Sequence, residues 1–346
     1  MTDCTLPELT LDRLWILSYK LTAFNTMADA QNSQPRRPAE VLKLCNDASE
    51  KDDPALLDEA ISIASTPGFR FSKSDMIQKG LQGCIGWRAS RVLTYLLEQQ
   101  DADVSTVYPS TIYSLEKPGV RTLLPFLEVL LAHGWDIDTH GPQRTSWPLL
   151  WFATSDAELL DWCLQHGASV YIPGDTPPRD RNGAGAIPRT SLLEEAAGDA
   201  TVASFEKLRA KGAPLGQRTL HRAVYQAAHR APKNGTEGKA SYEERMAMVR
   251  HLIDVVGLDV NADGGYVGEP SGTPLCALAH LNNGRDTREL IWCLLDRGAD
   301  PDQKGAVLRA GSEPSPNPLQ VAQLNGNTLF LDAVNEWRAR QKDRST

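Results

Sequence analysis

The chain lacks an excess of positive charge and long apolar runs. Its 346 residues include 36 lysines and arginines against 44 aspartates and glutamates, which gives a formal net charge of −8. This balance disfavours binding to nucleic acid or to anionic lipid. No run of about 18 uncharged apolar residues occurs, so we expect no transmembrane helix and no membrane partner.

The signals of a secreted protein are also missing. Asp3, Glu8 and Asp12 stand where a signal peptide carries basic residues. The six cysteines are scattered at positions 4, 45, 84, 163, 276 and 293, with no C-x-x-C pair. A chain of this length needs no disulfides to stabilise its core. The sequence therefore predicts reduced, mostly buried thiols and a location in the cytoplasm or the nucleus.

Signatures of catalysis are absent as well. The sequence contains no G-x-S-x-G, no H-E-x-x-H, no P-loop lysine and no G-x-G-x-x-G that opens a helix. The seven histidines show no zinc-ligand spacing with cysteine. The acidic pairs Asp136/Asp138 and Asp300/Asp302 are interpreted as solvated turn residues. We therefore predict no catalytic residue, no metal and no cofactor, and favour a protein that is not an enzyme.

The sequence does contain a recurring segment that is typical of a helix end. In it, an apolar doublet is followed by polar residues, a glycine and a short extended run. It occurs at 96–104, 130–138, 163–170, 252–261 and 294–302. The repeated position is Gln100, Gly134, Gly167, Gly212, Gly257 and Gly298, at successive spacings of 34, 33, 45, 45 and 41 residues. A glycine there supplies the left-handed turn that ends a helix. The base period is thus about 33 residues, with insertions in the later repeats.

A second pattern precedes the first by about 21 residues. Thr273-Pro274-Leu275 gives a capping hydroxyl followed by proline in the first turn of a helix. Related starts are Trp147-Pro148-Leu149, Asn317-Pro318-Leu319 and Arg218-Thr219-Leu220-His221-Arg222-Ala223. Together the two patterns resemble the ankyrin repeat, whose first helix begins T-P-L-H-x-A.

The resemblance covers residues 75–337 and implies an all-α fold, an α-solenoid of helix-turn-helix repeats with short finger loops. We predict about seven repeats in residues 75–340, preceded by a degenerate first repeat or cap at 38–74. Residues 1–37 are expected to form an amphipathic helix and a linker. Long insertions occur at 171–189, 230–241 and 303–316, as binding elements or as connectors.

The family's binding surface is a concave groove formed by the first helices and the fingers. Carried over by position, the resemblance implies a groove of Trp87, Glu116, Trp151, Arg222, Tyr225 and His280. The fingers and the 171–189 loop would add His140, Tyr171, Arg179, Arg181, Asp263 and Tyr266. Trp, Tyr, His and Arg are frequent at binding hot spots. Trp151 is expected to face the groove, and Leu164 is expected to be buried between repeats.

The function implied is that of a scaffold that binds a protein partner in the groove. One alternative is a small-molecule or catalytic site, with an aromatic pocket under the 171–189 loop. Another is a ubiquitin-ligase adaptor, because Leu6-Pro7-Glu8-Leu9 and Ile16-Leu17-Ser18-Tyr19 faintly resemble the first helix of an F-box. A capping helix over the first repeat explains the same segment and is preferred.

Overall fold

The expectation of an all-α chain is confirmed. The structure, a computed structural model, describes residues 37–141, 146–171, 190–232, 239–264, 272–304 and 316–345. Of these residues 64% are helical and none lies in a strand. The chain divides into two compact units, residues 1–102 and residues 103–346.

Unit 1 contains two helix pairs in its described part. The helices are α1 (Arg37–Lys51), α2 (Pro54–Ala64), α3 (Lys73–Trp87) and α4 (Ser90–Gln99). Helix α1 packs on both α2 and α3, and α3 packs on α4. Asp53 caps α2 through its side chain, and Ser72 forms a reciprocal capping box with Asp75 at the start of α3. These caps satisfy backbone N–H groups that the first turn of each helix leaves without a partner.

Unit 2 continues the paired arrangement, with odd-numbered first helices and even-numbered second helices. Its described helices are α5 (Pro109–Ser114), α6 (Leu124–Ala132), α7 (Leu149–Phe152), α8 (Ala157–Gln165), α9 (Leu192–Asp199), α10 (Val202–Ala210), α11 (Thr219–Arg230), α12 (Lys239–Asp254), α13 (Pro274–His280), α14 (Arg288–Leu295), α15 (Pro318–Leu324) and α16 (Thr328–Ser345). Among the first helices, α9 packs on α11, α11 on α13 and α13 on α15. Among the second helices, α10 packs on α12 and α14 packs on α16.

The second helices of unit 2 end at the glycines that the sequence singles out. The backbone φ is +83° at Gly134 and Gly167, +89° at Gly212, +77° at Gly257 and +90° at Gly298. After Gly298, the N–H of Ala299 donates to the carbonyl of Leu294 at 3.0 Å, which closes the end of the helix. The predicted left-handed turn is therefore confirmed at all five glycines.

The expected place of Gln100 in this series is wrong. Gln100 has φ −122°, whereas Asp101 has φ +53°. The next N–H, from Ala102, donates to the carbonyl of Leu96, which lies six residues back, whereas the corresponding bond from Ala299 reaches five residues back. The helix ending here has one extra residue, so the left-handed position shifts from Gln100 to Asp101.

Short turns after the second helices carry the acidic residues. The carboxylates of Asp136, Asp259 and Asp300 each accept the N–H two residues further on, at 2.8–2.9 Å. Successive turns are also joined, since the N–H of Ser169 donates to the carboxylate of Asp138 at 2.8 Å. These acidic residues are therefore turn residues, as interpreted from the sequence, and the turn has a structural role.

Neighbouring second helices are linked by polar side chains. Each link joins a helix, or the residue that follows it, to the next pair along the chain. The links are Trp162 to Glu128, Lys207 to Asp161, His251 to Glu206, Arg250 to Glu289, Arg297 to Asp254 and Trp337 to Asp296. Because every link connects only adjacent pairs, the register between pairs is fixed locally.

His221 joins α11 to the segment that leads into α13. Its Nε2 donates to the carbonyl of Gly272 at 2.9 Å, and its side chain is buried. Gly264 allows this approach, because a Cβ there would come within 2.5 Å of the imidazole ring. Burial lowers the pKa of His221 to about 4. The histidine is thus structural, as its place in the repeat implies.

Replacing Gly298 should destabilise the fold through its backbone alone. A Cβ at Gly298 would meet nothing within 4 Å, so Gly298→Ala should cost about 1–2 kcal/mol from the positive φ. Asp101→Gly should have the opposite sign, with a gain of about 0.5–1 kcal/mol. Urea denaturation measures both changes, and an unchanged midpoint for Gly298→Ala would contradict the left-handed turn.

Acid should destabilise the fold partly through His221. Above pH 6.5 the imidazole is neutral in both states; as the pH falls from 6.5 to about 4, the unfolded chain takes up a proton that the folded chain does not. The loss should reach at most about 3 kcal/mol. Stability measured between pH 7.5 and 4.5 should therefore fall less steeply for His221→Gln than for the wild type. His229→Gln is the control, and equal slopes for all three chains would refute the assignment.

Candidate functional site: the first-helix surface

The first-helix surface of unit 2 is defined here by the exposed and half-buried side chains of α9 and α11. Helix α11 presents Arg222, Tyr225 and His229 at intervals of three and four residues, which places them on one face. Helix α9 lies against it and contributes Glu195 and Asp199. This surface contains two of the residues expected from the sequence and three that were not singled out.

Arg222 is held in position by two carboxylates from the neighbouring helix. Its Nη2 lies 2.9 Å from Oε1 of Glu195 and 3.9 Å from Oδ2 of Asp199. The side chain crosses α9 at Gly198, where a Cβ would come within 3.0 Å of the Arg222 Nε. About a third of each of the three charged side chains remains exposed. The guanidinium is therefore fixed and still accessible to a partner.

Tyr225 and His229 form an adjacent aromatic pair. Their ring centroids lie 4.2 Å apart, and His229 Nδ1 is 2.9 Å from the carbonyl oxygen of Tyr225. The residue Tyr225 is 42% exposed, although most large apolar side chains of the described residues are buried. An exposed tyrosine restrained by this ring contact offers apolar area at a low cost in side-chain entropy.

Buried polar groups support the surface from beneath. The buried Glu194 completes a capping box with Ser191, and its Oε1 accepts the N–H of Arg218 at 2.6 Å. The buried Arg245 donates to the carbonyl of Gly198 at 2.6 Å and so caps the end of α9. Burial lowers the pKa of Arg245. These contacts fix α9 against α11 and α12.

Trp151 contradicts the expectation that it faces a groove. The residue is only 5% exposed, its Nε1 donates to the carbonyl of Thr190 at 3.3 Å, and its ring stacks on Trp147 at 6.3 Å. Tyr113 and Phe152 form a second stacked pair, 4.8 Å apart. Trp151 is thus a core residue, and Thr190 and Trp147 contact the side chain that was expected to face a groove.

Leu164 is a second correction, since its side chain is only half-buried. Leu160 and Cys163 are fully buried on the same helix, at 0% exposure. They occupy the centre of the apolar stripe of α8, and Leu164 lies at its edge.

The remaining site residues lie at separate places. Trp87 is half-buried at the end of α3 in unit 1, whereas Glu116 follows α5 and is exposed. His280 is exposed at the end of α13, and its Nδ1 lies 3.4 Å from Nδ2 of Asn325. His140 and Asp263 are half-buried in the segments between helices, and the exposed Tyr171 donates from its hydroxyl to the carbonyl of Gly212 at 2.6 Å. Arg179, Arg181 and Tyr266 lie outside the described residues.

The described residues offer little reactive chemistry. They include no group of three or more His, Cys, Asp or Glu side chains placed to hold a metal ion. The five described cysteines are free and buried, and burial raises the pKa of Cys45 to about 11 and that of Cys163 to about 12. Such thiols stay protonated at neutral pH and are poor nucleophiles. Among these residues, no helix has the length and apolarity needed to span a bilayer.

No model of a known protein family matches the chain, and no curated protein matches it.

Stability measurements should separate core from surface. Trp151→Ala removes a buried indole and should cost about 3–5 kcal/mol. Tyr225→Ala removes an exposed ring and should change stability by no more than about 0.5 kcal/mol. Chemical denaturation of the two variants gives both values. A similar loss in both would show that Tyr225 belongs to the core and is not available for binding.

Proposed function

We propose that the chain is a divergent ankyrin-type repeat protein, an α-solenoid that binds a protein partner through the first-helix surface and is not an enzyme. The partner is a protein rather than nucleic acid or membrane, which is consistent with the net charge of −8. The free, buried cysteines favour the cytoplasm or the nucleus, where thiols stay reduced.

Three repeating features support the ankyrin-type interpretation. The left-handed glycines recur after the second helices, from Gly134 to Gly298. Asx turns follow α6, α12 and α14. Packing joins α9, α11, α13 and α15 in order, so each first helix contacts its neighbours in sequence. Helix pairs stacked only on their neighbours are typical of repeat arrays.

The observation that carries the binding proposal is the restrained, exposed group on α11. Arg222 is pre-positioned by Glu195 and Asp199, and the ring of Tyr225 contacts the ring of His229. Arginine and tyrosine dominate binding hot spots, and restraint before binding lowers the entropy lost on association. An open surface of this kind suits a peptide or a folded protein better than a small molecule, which needs enclosure.

Quantitative proximity labelling tests the proposal on the full chain. Tyr225→Ala and Arg222→Ala should each lower the recovery of the same protein, by about tenfold or more if these residues are hot spots. Val255→Ala is the matched control, because Val255 is 66% exposed and lies just after the second helix α12. The proposal fails if both surface variants recover the same proteins at wild-type levels.

The two alternative functions depend on other parts of the chain. A pocket under the 171–189 loop requires residues 172–189, and an F-box-like adaptor requires residues 1–36; both segments lie outside the described residues. The described residues on their own favour neither alternative.

A further inference from the structure

Unit 1 contains an open groove between α1 and α2. It has a volume of about 600 Å³, and Val41, Leu44 and Ile63 are its apolar lining residues. Leu44 and Ile63 are only half-buried, although they lie among the core helices of the unit. The groove therefore exposes the apolar side chains of Leu44 and Ile63, which the described part of unit 1 leaves uncovered.

The charges around the groove are mainly negative. Glu40, Asp47 and Glu59 line it together with a single lysine, Lys43. A segment that covers the groove should accordingly combine an apolar stripe with a small positive charge.

The chain supplies such a segment just before α1. Residues 9–24 place Leu14, Leu17, Leu21 and Phe24 at i, i+3, i+7 and i+10, a spacing that predicts one apolar face of an amphipathic helix. The charged residues of the segment are Arg13 and Lys20 against Asp12. Its apolar spacing and its charge both complement the groove.

The connection is long enough for this docking. Residues 25–36 separate the segment from the first residue of α1 and can span up to about 40 Å when extended. Helix α1 has 15 residues and is therefore about 22 Å long. The segment can reach any part of the groove from the same chain.

We propose that residues 9–24 dock in the groove between α1 and α2 of their own chain and form its N-terminal cover. Unit 2 contains a comparable arrangement: α16 packs on α14, with Arg340 over the Trp292 ring and a largely exposed polar outer face. End elements with a polar outer face are what stacked helix pairs require for solubility. The inference concerns unit 1 and does not depend on the proposed function.

Hydrogen exchange on the full chain tests the docking. Leu21→Asp should speed the exchange of amides in 41–47 and 59–66 by about tenfold, because those helix faces lose their cover. The control Thr22→Asp introduces the same charge beside the stripe and should leave exchange unchanged. Equal exchange in Leu21→Asp and the wild type overturns the proposal, and so does equal acceleration by both variants.

The groove side provides an independent variant. Ile63→Asp should speed exchange within 11–24, whereas Ser62→Asp, at an exposed neighbouring position, should not. Unchanged exchange within 11–24 in Ile63→Asp overturns the proposal. Light scattering tests whether the groove is instead occupied by the segment of a second copy. A dimer in which the protection of the groove amides rises with protein concentration would show docking between copies and would also overturn the proposal.

Discussion

The left-handed turn after each second helix is the constraint on which the rest of unit 2 depends. A residue with positive φ ends the helix and directs the chain into a short turn. At Gly134 the turn brings Asp136 and Asp138 to where Asp138 accepts an N–H from the next turn. The same geometry at Gly257 and Gly298 lets the side chain of Asn261 accept the N–H of Asp300. Each turn therefore fixes the position of its neighbour as well as the end of its own helix.

Because the register is fixed separately between each two adjacent helix pairs, the stacked pairs can accommodate insertions of very different length. The links between second helices, such as His251 to Glu206 and Arg297 to Asp254, join adjacent pairs only. Exposed ion pairs contribute little stability individually, so their main consequence is to specify which positions meet. Residues inserted between helix pairs, as at 171–189, or between the two helices of a pair, as at 230–241, leave these contacts intact, which is why spacings of 33 and 45 residues occur in one chain.

The sequence predicted the parts of the fold that depend on local chemistry. The left-handed glycines and the Thr273-Pro274 start each follow from a few adjacent residues. It did not predict that Trp151 is buried and donates a hydrogen bond to Thr190, 39 residues away. A helical position gives the direction of a side chain, but not what a later segment places over it. The shift from Gln100 to Asp101 has a different cause. The helix closes over six residues, as it does after Gly257, but the left-handed position is an aspartate and so carries no glycine to mark it.

The candidate site also depends on contacts between residues that are distant in the sequence. The sequence placed Arg222 and Tyr225 at binding positions. It did not reveal that Glu195 and Asp199 fix the orientation of Arg222, because Glu195 lies 27 residues away in the chain. The ion pair is about one-third exposed, so it adds no more than about 1 kcal/mol to stability. The arginine also requires Gly198, where any side chain would meet it. Gly198 therefore has a defined structural role inside α9: it leaves room for the guanidinium that Glu195 holds at the surface.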